Sequence, residues 1–334
     1  MPKIKGNRKD FNNHIQNFID YCNIKGLAIK TIKSYYQALT LFCKYLEEEK
    51  DITDINKVNK EVVEEYLKFT KDRGKYSYVA NKDSLKKTYQ DSRPDIGKEI
   101  SPSTLNNYLR NIKVFFNWLD ENNYILNNTV IDVKYVKNKR TSKDQLTDEE
   151  YKKLIKTMDL SKFHEYRDYV ITNLIFDTGM RLSECLSLTY EEVDIVNKTI
   201  FLSATVTKGK RDRYVFYSDK MGKLLRRWLK YKDVMVDSDL LFPTQRTNRM
   251  MATNNYERNF RVYLKNAHID KNVTPHSLRN NFARRFLLNG GDIFMLSKIL
   301  GHSSVMVTEK AYLDVTTEDI RKKYIRYSPM ENLK

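Results

Sequence analysis

Apolar residues recur at helical spacing through about the first 125 residues of the chain. From Phe11 to Leu46 they repeat every three or four positions, with one interruption near Gly26. A second stripe follows, and its seven members are Leu105, Tyr108, Leu109, Ile112, Phe115, Phe116 and Leu119. Ser101 and Pro102 are typical of a helix start, so we expect this helix to begin there. The pattern predicts a helical domain with an aromatic core.

Two polar stretches interrupt the helical pattern. The first, from Lys71 to Lys98, contains two glycines and a proline and predicts a loop-rich insertion. The second, from Lys134 to Asp144, has no apolar period and predicts a basic linker between two domains. Its cations could follow a phosphate backbone, and a solvated linker without contacts is the alternative. These cations are Lys134, Lys137, Lys139, Arg140 and Lys143.

A second domain is expected after the linker. Thr147 and Glu150 have the spacing of a capping box, which marks the start of a new helix. We therefore predict a helical domain over 1–133, a linker over 134–145 and a second domain over 146–334, with a C-terminal tail from about 317.

The second domain mixes helical and strand patterns. An apolar helical segment from Val170 to Phe176 is expected to end near Gly179. Two β-prone runs, Thr199–Ser203 and Tyr214–Tyr217, flank the polar turn VTKGKRDR and predict a hairpin. Four further helices are expected, over Lys220–Lys232, Asn254–Ala267, His276–Leu288 and Asp292–Ile299.

The charge balance favours a polyanionic partner. Among 334 residues, 60 Lys and Arg against 43 Asp and Glu leave a net charge of +17. Nucleic acid is the commonest such partner, and a basic solvated surface or a membrane-surface protein is the alternative. No run reaches the roughly 18 apolar residues of a membrane span, and the charged start lacks a signal region, so we expect a cytoplasmic protein. The three cysteines and five histidines show no metal-ligand spacing, so neither a metal nor another cofactor is expected.

Candidate chemistry is concentrated in four short blocks of the second domain. They read TGMRLSE, TKGKRDR, PHSLR and LGHSS, and the last is followed by Tyr312. Arginines match phosphate oxygens, a lysine at a hairpin tip can protonate a leaving oxygen, and histidines exchange protons near neutral pH. A tyrosine can form a covalent phosphoester. Together these groups could break a phosphodiester without a metal, although each residue taken alone has an ordinary structural interpretation.

Spacing within two blocks adds detail. His276 and Arg279 lie three residues apart at a predicted helix start, where both should face one direction and the helix dipole favours an anion. Arg181 and Glu184 have the same spacing. We expect Glu184 to hold Arg181 or its loop in place rather than to act on substrate.

In this order, the four blocks resemble the catalytic signature of the tyrosine recombinase (phage integrase) family. The first half of the chain resembles the core-binding domain of that family more loosely. The resemblance implies an N-terminal all-α core-binding domain, a SAM-like helical bundle, followed by an α+β, mainly helical catalytic domain with a small β-sheet or hairpin. It implies double-stranded DNA as the partner, bound by a homodimer at one site and by a homotetramer in the synaptic complex, with no role for a membrane.

The resemblance also implies a role for each cation of the signature. Arg181 and Arg279 would clamp the scissile phosphate, and His302 would form a hydrogen bond with it. His276 would assist proton transfer near the nucleophile.

The lysine motif lies at the tip of the predicted hairpin. By resemblance, Lys208 would protonate the leaving 5′-oxygen, and Lys210 is close enough to be its rival. Lys210 and Arg213 are otherwise expected to contact DNA phosphates.

Tyr312 would be the nucleophile and form a 3′-phosphotyrosyl intermediate. The chain departs from the family pattern in two places. Asn280 stands where many members have histidine, and Tyr312 lies ten residues after His302 where nine is common. The nearby rivals are Tyr324 and Tyr327 in the basic tail.

The implied function is site-specific recombination through a Holliday junction, most consistent with a mobile element such as a phage or transposon. Chromosome-dimer resolution is the alternative, followed by a type IB topoisomerase-like activity and by a DNA-binding protein with a retained but inactive fold.

Overall fold

The computed structural model describes residues 11–79, 93–138, 144–207, 209, 211–302, 304–312, 321, 324 and 328–331, and of residues 310–312 the backbone alone. The chain divides into two compact units, Met1–Arg140 and Thr141–Lys334. This division falls inside the segment that the sequence assigns to a linker. Three of the predicted linker cations, Lys139, Arg140 and Lys143, lie outside the described residues.

The described part of the first unit is helical. Its α-helices are α1 (Phe11–Ile24), α2 (Ile29–Lys50), α3 (Lys60–Arg73) and α4 (Pro102–Glu121), with short 3-10 helices at Ile55–Lys57 and Thr129–Asp132. Gly26, at φ 66°, turns the chain between α1 and α2 where the apolar pattern breaks. The side chain of Ser101 accepts the N–H of Thr104 and caps α4, which confirms the predicted start of that helix.

Main-chain hydrogen bonds join the two ends of the predicted loop-rich insertion. After α3 ends, the N–H of Lys75 donates to the carbonyl oxygen of Lys98 (2.9 Å), and the N–H of Gly97 donates to that of Lys75 (2.8 Å). Gly74 lies so close to the backbone of Gly97 that a side chain there would overlap it. The middle of the insertion, 80–92, lies outside the described residues.

The second unit combines helices with a small antiparallel sheet. Its α-helices are α5 (Asp148–Lys156), α6 (Phe163–Thr178), α7 (Leu182–Leu186), α8 (Asp219–Met235), α9 (Thr253–Asn266), α10 (Pro275–Leu288), α11 (Ile293–Leu300) and α12 (Val305–Tyr312). A 3-10 helix, Tyr190–Glu192, precedes strands β1 (Val193–Asp194), β2 (Thr199–Leu202) and β3 (Arg213–Phe216), ordered β1-β2-β3. The predicted hairpin is β2–β3, while β1 is too short for its pattern to be visible in the sequence.

Helix α6 forms the centre of the second core. It packs against α10 and α8, and its residues Val170, Ile171, Leu174 and Ile175 are fully buried. Thr147 and Glu150 form the predicted capping box at the start of α5. Across the described residues, no helix combines the length and apolar character needed to cross a membrane.

Candidate active site

The first arginine block begins where α6 ends. Gly179 has φ 68°, and its N–H donates to the carbonyl oxygen of Ile175, which closes the helix in the left-handed conformation that glycine favours. A Cβ at Gly179 would overlap the ring of Phe282 and lie 3.0 Å from Leu300. Glycine therefore allows α10 and α11 to approach the turn that leads into Arg181.

Glu184 is the electrostatic centre of the site. Its carboxylate is fully buried and accepts the main-chain N–H (2.8 Å) and Nη1 (2.7 Å) of Arg181. It also accepts Nη1 (3.1 Å) and Nη2 (2.6 Å) of Arg213. Burial alone would raise the pKa of Glu184, but the hydrogen bonds and charge of Arg213, with the hydrogen bonds of Arg181, lower it below its ordinary value. Glu184 thus remains ionised and orients Arg181, whose side chain keeps 24% of its surface exposed.

Arg213 lies inside the unit. Its side chain is 8% exposed, and its Nε donates to the carbonyl oxygen of Ile299 (2.9 Å). A Cβ at Gly301 would lie 2.9 Å from Cδ of Arg213, so glycine is needed for this approach. Sequence reasoning placed Arg213 on DNA phosphate, whereas the structure places it on Glu184. The reason is a buried carboxylate 29 residues earlier in the chain, which local sequence does not reveal.

Arg279 connects three segments of the site. It lies in the second turn of α10 and is 2% exposed. Its Nη1 donates to the carbonyl oxygen of Gly179 (2.7 Å), and its Nη2 donates to that of Leu300 (2.7 Å). The same Nη2 lies 3.2 Å from Nε2 of His302. The main chain therefore orients this guanidinium.

His302 follows the end of α11 and is half-buried. Gly301, at φ 64°, ends the helix, and Nδ1 of His302 lies 2.7 Å from Oγ1 of Thr308 on α12. Burial lowers the pKa of His302 to about 4, assisted by the charges of Arg279, Arg181, Arg213 and His276. The imidazole is therefore neutral near pH 7 and lies in a positive field, which suits a site for a phosphate.

His276 and Arg279 differ in burial, although they lie three residues apart on the same helix. His276, in the first turn of α10, is exposed, whereas Arg279 is buried. The charge of each lowers the pKa of His302, so both lie near enough to act on this imidazole electrostatically.

The β2–β3 hairpin reaches the same site. A groove of about 360 Å³ runs from the hairpin loop at Thr207 and Gly209 to Gly301 and His302. Thr207 is 6% exposed, and its hydroxyl accepts the N–H of Arg211 (3.2 Å). The hairpin loop is thus anchored at Thr207. Lys208 and Lys210 lie outside the described residues.

Tyr312 is the last residue of α12, and its side chain lies outside the described part of the structure. Its helix is tied to the site by Thr308, one turn earlier. Sequence reasoning missed Thr308, although its position one helical turn before the candidate nucleophile was a usable signal. Of the rival tyrosines, Tyr324 is 64% exposed, and Tyr327 lies outside the described residues.

The remaining predicted DNA contacts lie in the first unit. Lys134 and Lys137 are exposed in an extended segment. Asn106 holds this segment by two hydrogen bonds of 2.8 Å to the main chain of Val136. In the part of the chain that is described, no group of three or more His, Cys, Asp or Glu could hold a metal ion.

Comparisons with known proteins agree with both units. A model described as the phage integrase family matches residues 144–319, and one described as the phage integrase N-terminal SAM-like domain matches residues 15–88. The tyrosine recombinase XerD of Staphylococcus epidermidis is 26% identical over 328 residues, covering 95% of this chain and 99% of its own. The tyrosine recombinase XerC of Oceanobacillus iheyensis is 26% identical over 334 residues, covering 96% of this chain and 97% of its own.

Solved structures show the same fold. XerH recombinase bound to a palindromic difH substrate matches with a TM-score of 0.72 at 18% identity, covering 98% of each chain. The Tn1549 transposon integrase in complex with transposon right end DNA matches with a TM-score of 0.70 at 18% identity, covering 94% of this chain and 99% of that chain. The SAM-like helical domain and the mainly helical catalytic domain with its small sheet are therefore confirmed. With a family match over more than half of its length, the chain belongs to the phage integrase family of tyrosine recombinases, whose members are DNA strand-transferring enzymes.

Proposed function

We propose that this protein cuts and rejoins duplex DNA at specific sites through a 3′-phosphotyrosyl intermediate on Tyr312. The observation that carries the proposal is the convergence of Arg181, Arg279 and His302 from three separate segments. Two arginines and one neutral imidazole match the needs of a phosphate whose charge grows in the transition state. Glu184 pairs with Arg181 and Arg213 and offsets one positive charge, so the site with its three arginines keeps a positive surplus.

In the proposed reaction, the oxygen of Tyr312 attacks phosphorus and the bond from phosphorus to the 5′-oxygen breaks. Arg181, Arg279 and His302 stabilise the non-bridging oxygens, while Lys208 gives a proton to the leaving 5′-oxygen. His276 assists the transfer of the proton that leaves Tyr312. The phosphotyrosyl bond conserves the energy of the broken bond, so a 5′-hydroxyl of the partner strand can rejoin it without a nucleotide cofactor. Two such exchanges pass through a Holliday junction.

Strand exchange requires several protomers, and we propose a homodimer on one site and a homotetramer in the synaptic complex. A lambda integrase dimer bound to a core site shares the fold, with a TM-score of 0.65 at 13% identity. Large apolar side chains on α11 and α12 support contact between protomers, since Phe294, Met295 and Met306 are each more than half exposed. In this arrangement the tail 317–334 docks on a neighbouring protomer. Its deletion should impair synapsis more than binding to a single site.

The first unit is proposed to bind DNA through a polar face at the start of α4. A groove there is lined by Ser101, Ser103, Thr104, Asn106, Asn107, Arg110 and Tyr135. Hydroxyl, amide and guanidinium groups of this kind contact both phosphates and base edges. The exposed Lys134 and Lys137 follow this face, and Lys139, Arg140, Lys143 and Lys210 are proposed as further phosphate contacts.

The proposed biological role is movement of a mobile element, and chromosome-dimer resolution is the alternative. The similar structures include a transposon integrase, while the similar sequences include XerD and XerC. The insertion between α3 and α4 favours the mobile-element role. If that role is correct, the protein will join DNA ends that flank its own coding sequence. Activity only on a chromosomal site distant from its gene would favour dimer resolution.

The reaction is tested with a duplex selected from a random-sequence library for SDS-stable attachment to the protein. A nick beside the cleavage position traps the intermediate, because the released short strand diffuses away. The wild type and Tyr324→Phe should form the covalent adduct, whereas Tyr312→Phe should not. If no sequence in the library yields an adduct, or if Tyr312→Phe still forms one, the proposal is wrong.

A further inference from the structure

Both ring nitrogens of His302 have close partners. Nε2 lies 3.2 Å from Nη2 of Arg279, and Nδ1 lies 2.7 Å from Oγ1 of Thr308. Thr308 is fully buried in α12. A buried hydroxyl at this distance is a strong constraint on the imidazole, since breaking the bond would leave the hydroxyl of Thr308 without water.

The partners determine which nitrogen carries the proton. A guanidinium has only donors, so Nε2 must accept from Arg279 in this arrangement. The proton of the neutral imidazole is therefore on Nδ1, which donates to Oγ1 of Thr308. The low pKa of His302, about 4, keeps the ring neutral near pH 7, so only one of its nitrogens carries a proton.

The proposed function requires the opposite arrangement when DNA is bound. Nη2 of Arg279 would then donate to a phosphate oxygen, and Nε2 of His302 would have to donate to that phosphate as well. A neutral imidazole can do so only if Nδ1 becomes an acceptor. The proton on Nδ1 exchanges with solvent and another adds to Nε2, so the ring gains no charge.

We propose that Thr308 is a positioning residue that allows His302 to change tautomer when the scissile phosphate binds. A hydroxyl both accepts and donates, so it pairs with Nδ1 in either form. A carboxylate or a carbonyl oxygen would accept only and would hold the ring as Nδ1–H, with Nε2 unable to donate. This inference rests on the proposed function of His302.

The same contact couples His302 to the nucleophile. Thr308 precedes Tyr312 by four residues in α12, which is about 6 Å along the helix axis. The hydrogen bond therefore holds the helix of the nucleophile against the imidazole. When a phosphate binds at His302, the helix that carries Tyr312 is therefore already held beside that site.

The test compares Thr308→Val, which keeps the shape and removes the hydroxyl, with Thr308→Ser, which keeps the hydroxyl. On the selected nicked duplex, the valine variant should form the adduct roughly 10- to 100-fold more slowly than the wild type. The serine variant should remain within roughly threefold of the wild type. Affinity for the duplex should change little in both, because neither substitution removes a phosphate contact.

Selective ¹⁵N labelling of histidine reads the tautomer directly. In the free protein, the ring signals of His302 should report a protonated Nδ1. In the Tyr312→Phe protein bound to the duplex, they should report a protonated Nε2. The same tautomer in both states, or wild-type adduct formation by Thr308→Val, would overturn the inference. A wild type that forms no adduct would instead overturn the proposed function, and the tautomer change with it.

Discussion

Replacing Glu184 with glutamine, a side chain of nearly the same shape, should strongly destabilise the second unit, which is the catalytic unit. The carboxylate is fully buried and pairs with Arg181 and Arg213, the second of which is 8% exposed. A glutamine keeps one oxygen acceptor but presents an NH₂ group to a guanidinium that also only donates. One buried positive charge therefore loses its partner.

The size of the stability loss in Glu184→Gln follows from the contacts that the carboxylate makes. Nη1 and Nη2 of Arg213 each donate to one oxygen of Glu184, at 3.1 and 2.6 Å, and glutamine can accept one of them. Arg181, which is 24% exposed, can turn partly towards water, so its loss is discounted. Breaking a buried ion pair on one side costs about 3–5 kcal/mol. We expect the free energy of unfolding to fall by that amount, which is a large part of the total stability of a domain.

The assay uses the two tryptophans of the chain, Trp118 in the first unit and Trp228 in the second. In a Trp118→Phe background, fluorescence during urea unfolding reports only on the catalytic unit, where Trp228 is buried. Glu192→Gln is the matched control, because Glu192 also completes a capping box but pairs with Thr189 rather than with arginines. It should cost about 1 kcal/mol or less. Equal losses for the two variants would refute the central role of Glu184.

Three further changes test the geometry of the site. Gly179→Ala would overlap the ring of Phe282 at a positive φ, so urea unfolding should show a loss of about 2 kcal/mol or more, and a loss under about 0.5 would contradict this. The pKa of His302 falls from 6.5 to about 4 on folding, so the unfolded chain takes up the proton at a higher pH than the folded chain does. The wild type should therefore lose stability as the pH falls from about 6.5 to 4, and His302→Asn should lack this loss. Melting temperatures of the two proteins that fall in parallel with pH would contradict the expectation. Arg279→Lys cannot place two donors on the carbonyl oxygens of Gly179 and Leu300, so adduct formation should slow by roughly 100-fold or more, and a rate near wild type would show that the planar guanidinium is not required.

Local signals in the sequence predicted the helix boundaries well. Ser101, Thr147 and Asp292 each accept a backbone N–H of the first turn, as their position before an apolar stripe suggests. These caps depend on residues three apart, which a single sequence displays. The β-prone runs also sufficed for the hairpin, because β-branched and aromatic residues on both sides of a polar turn are visible in the sequence.

The interior of the site could not be read in the same way. The partner of Arg213 lies 29 residues away, and that of Arg279 Nη1 lies 100 residues away at Gly179. Such pairs depend on how α6, α10 and α11 pack. The residues next to Arg213 and Arg279 in the sequence do not indicate that these two side chains are buried. Thr308 was overlooked for a related reason. A helical threonine usually bonds to its own backbone or packs in the core, and the local sequence does not show that this one contacts a histidine.

The most direct test of the proposed chemistry is the identity of the tyrosine that becomes attached to DNA. Cleavage after lysine and arginine separates the three candidates into peptides 311–321, 324–326 and 327–334, which hold Tyr312, Tyr324 and Tyr327 in turn. After trapping on the selected nicked duplex, nuclease digestion and mass spectrometry should find the nucleotide mass on peptide 311–321. A nucleotide on either of the other two peptides would contradict the assignment of Tyr312 as the nucleophile.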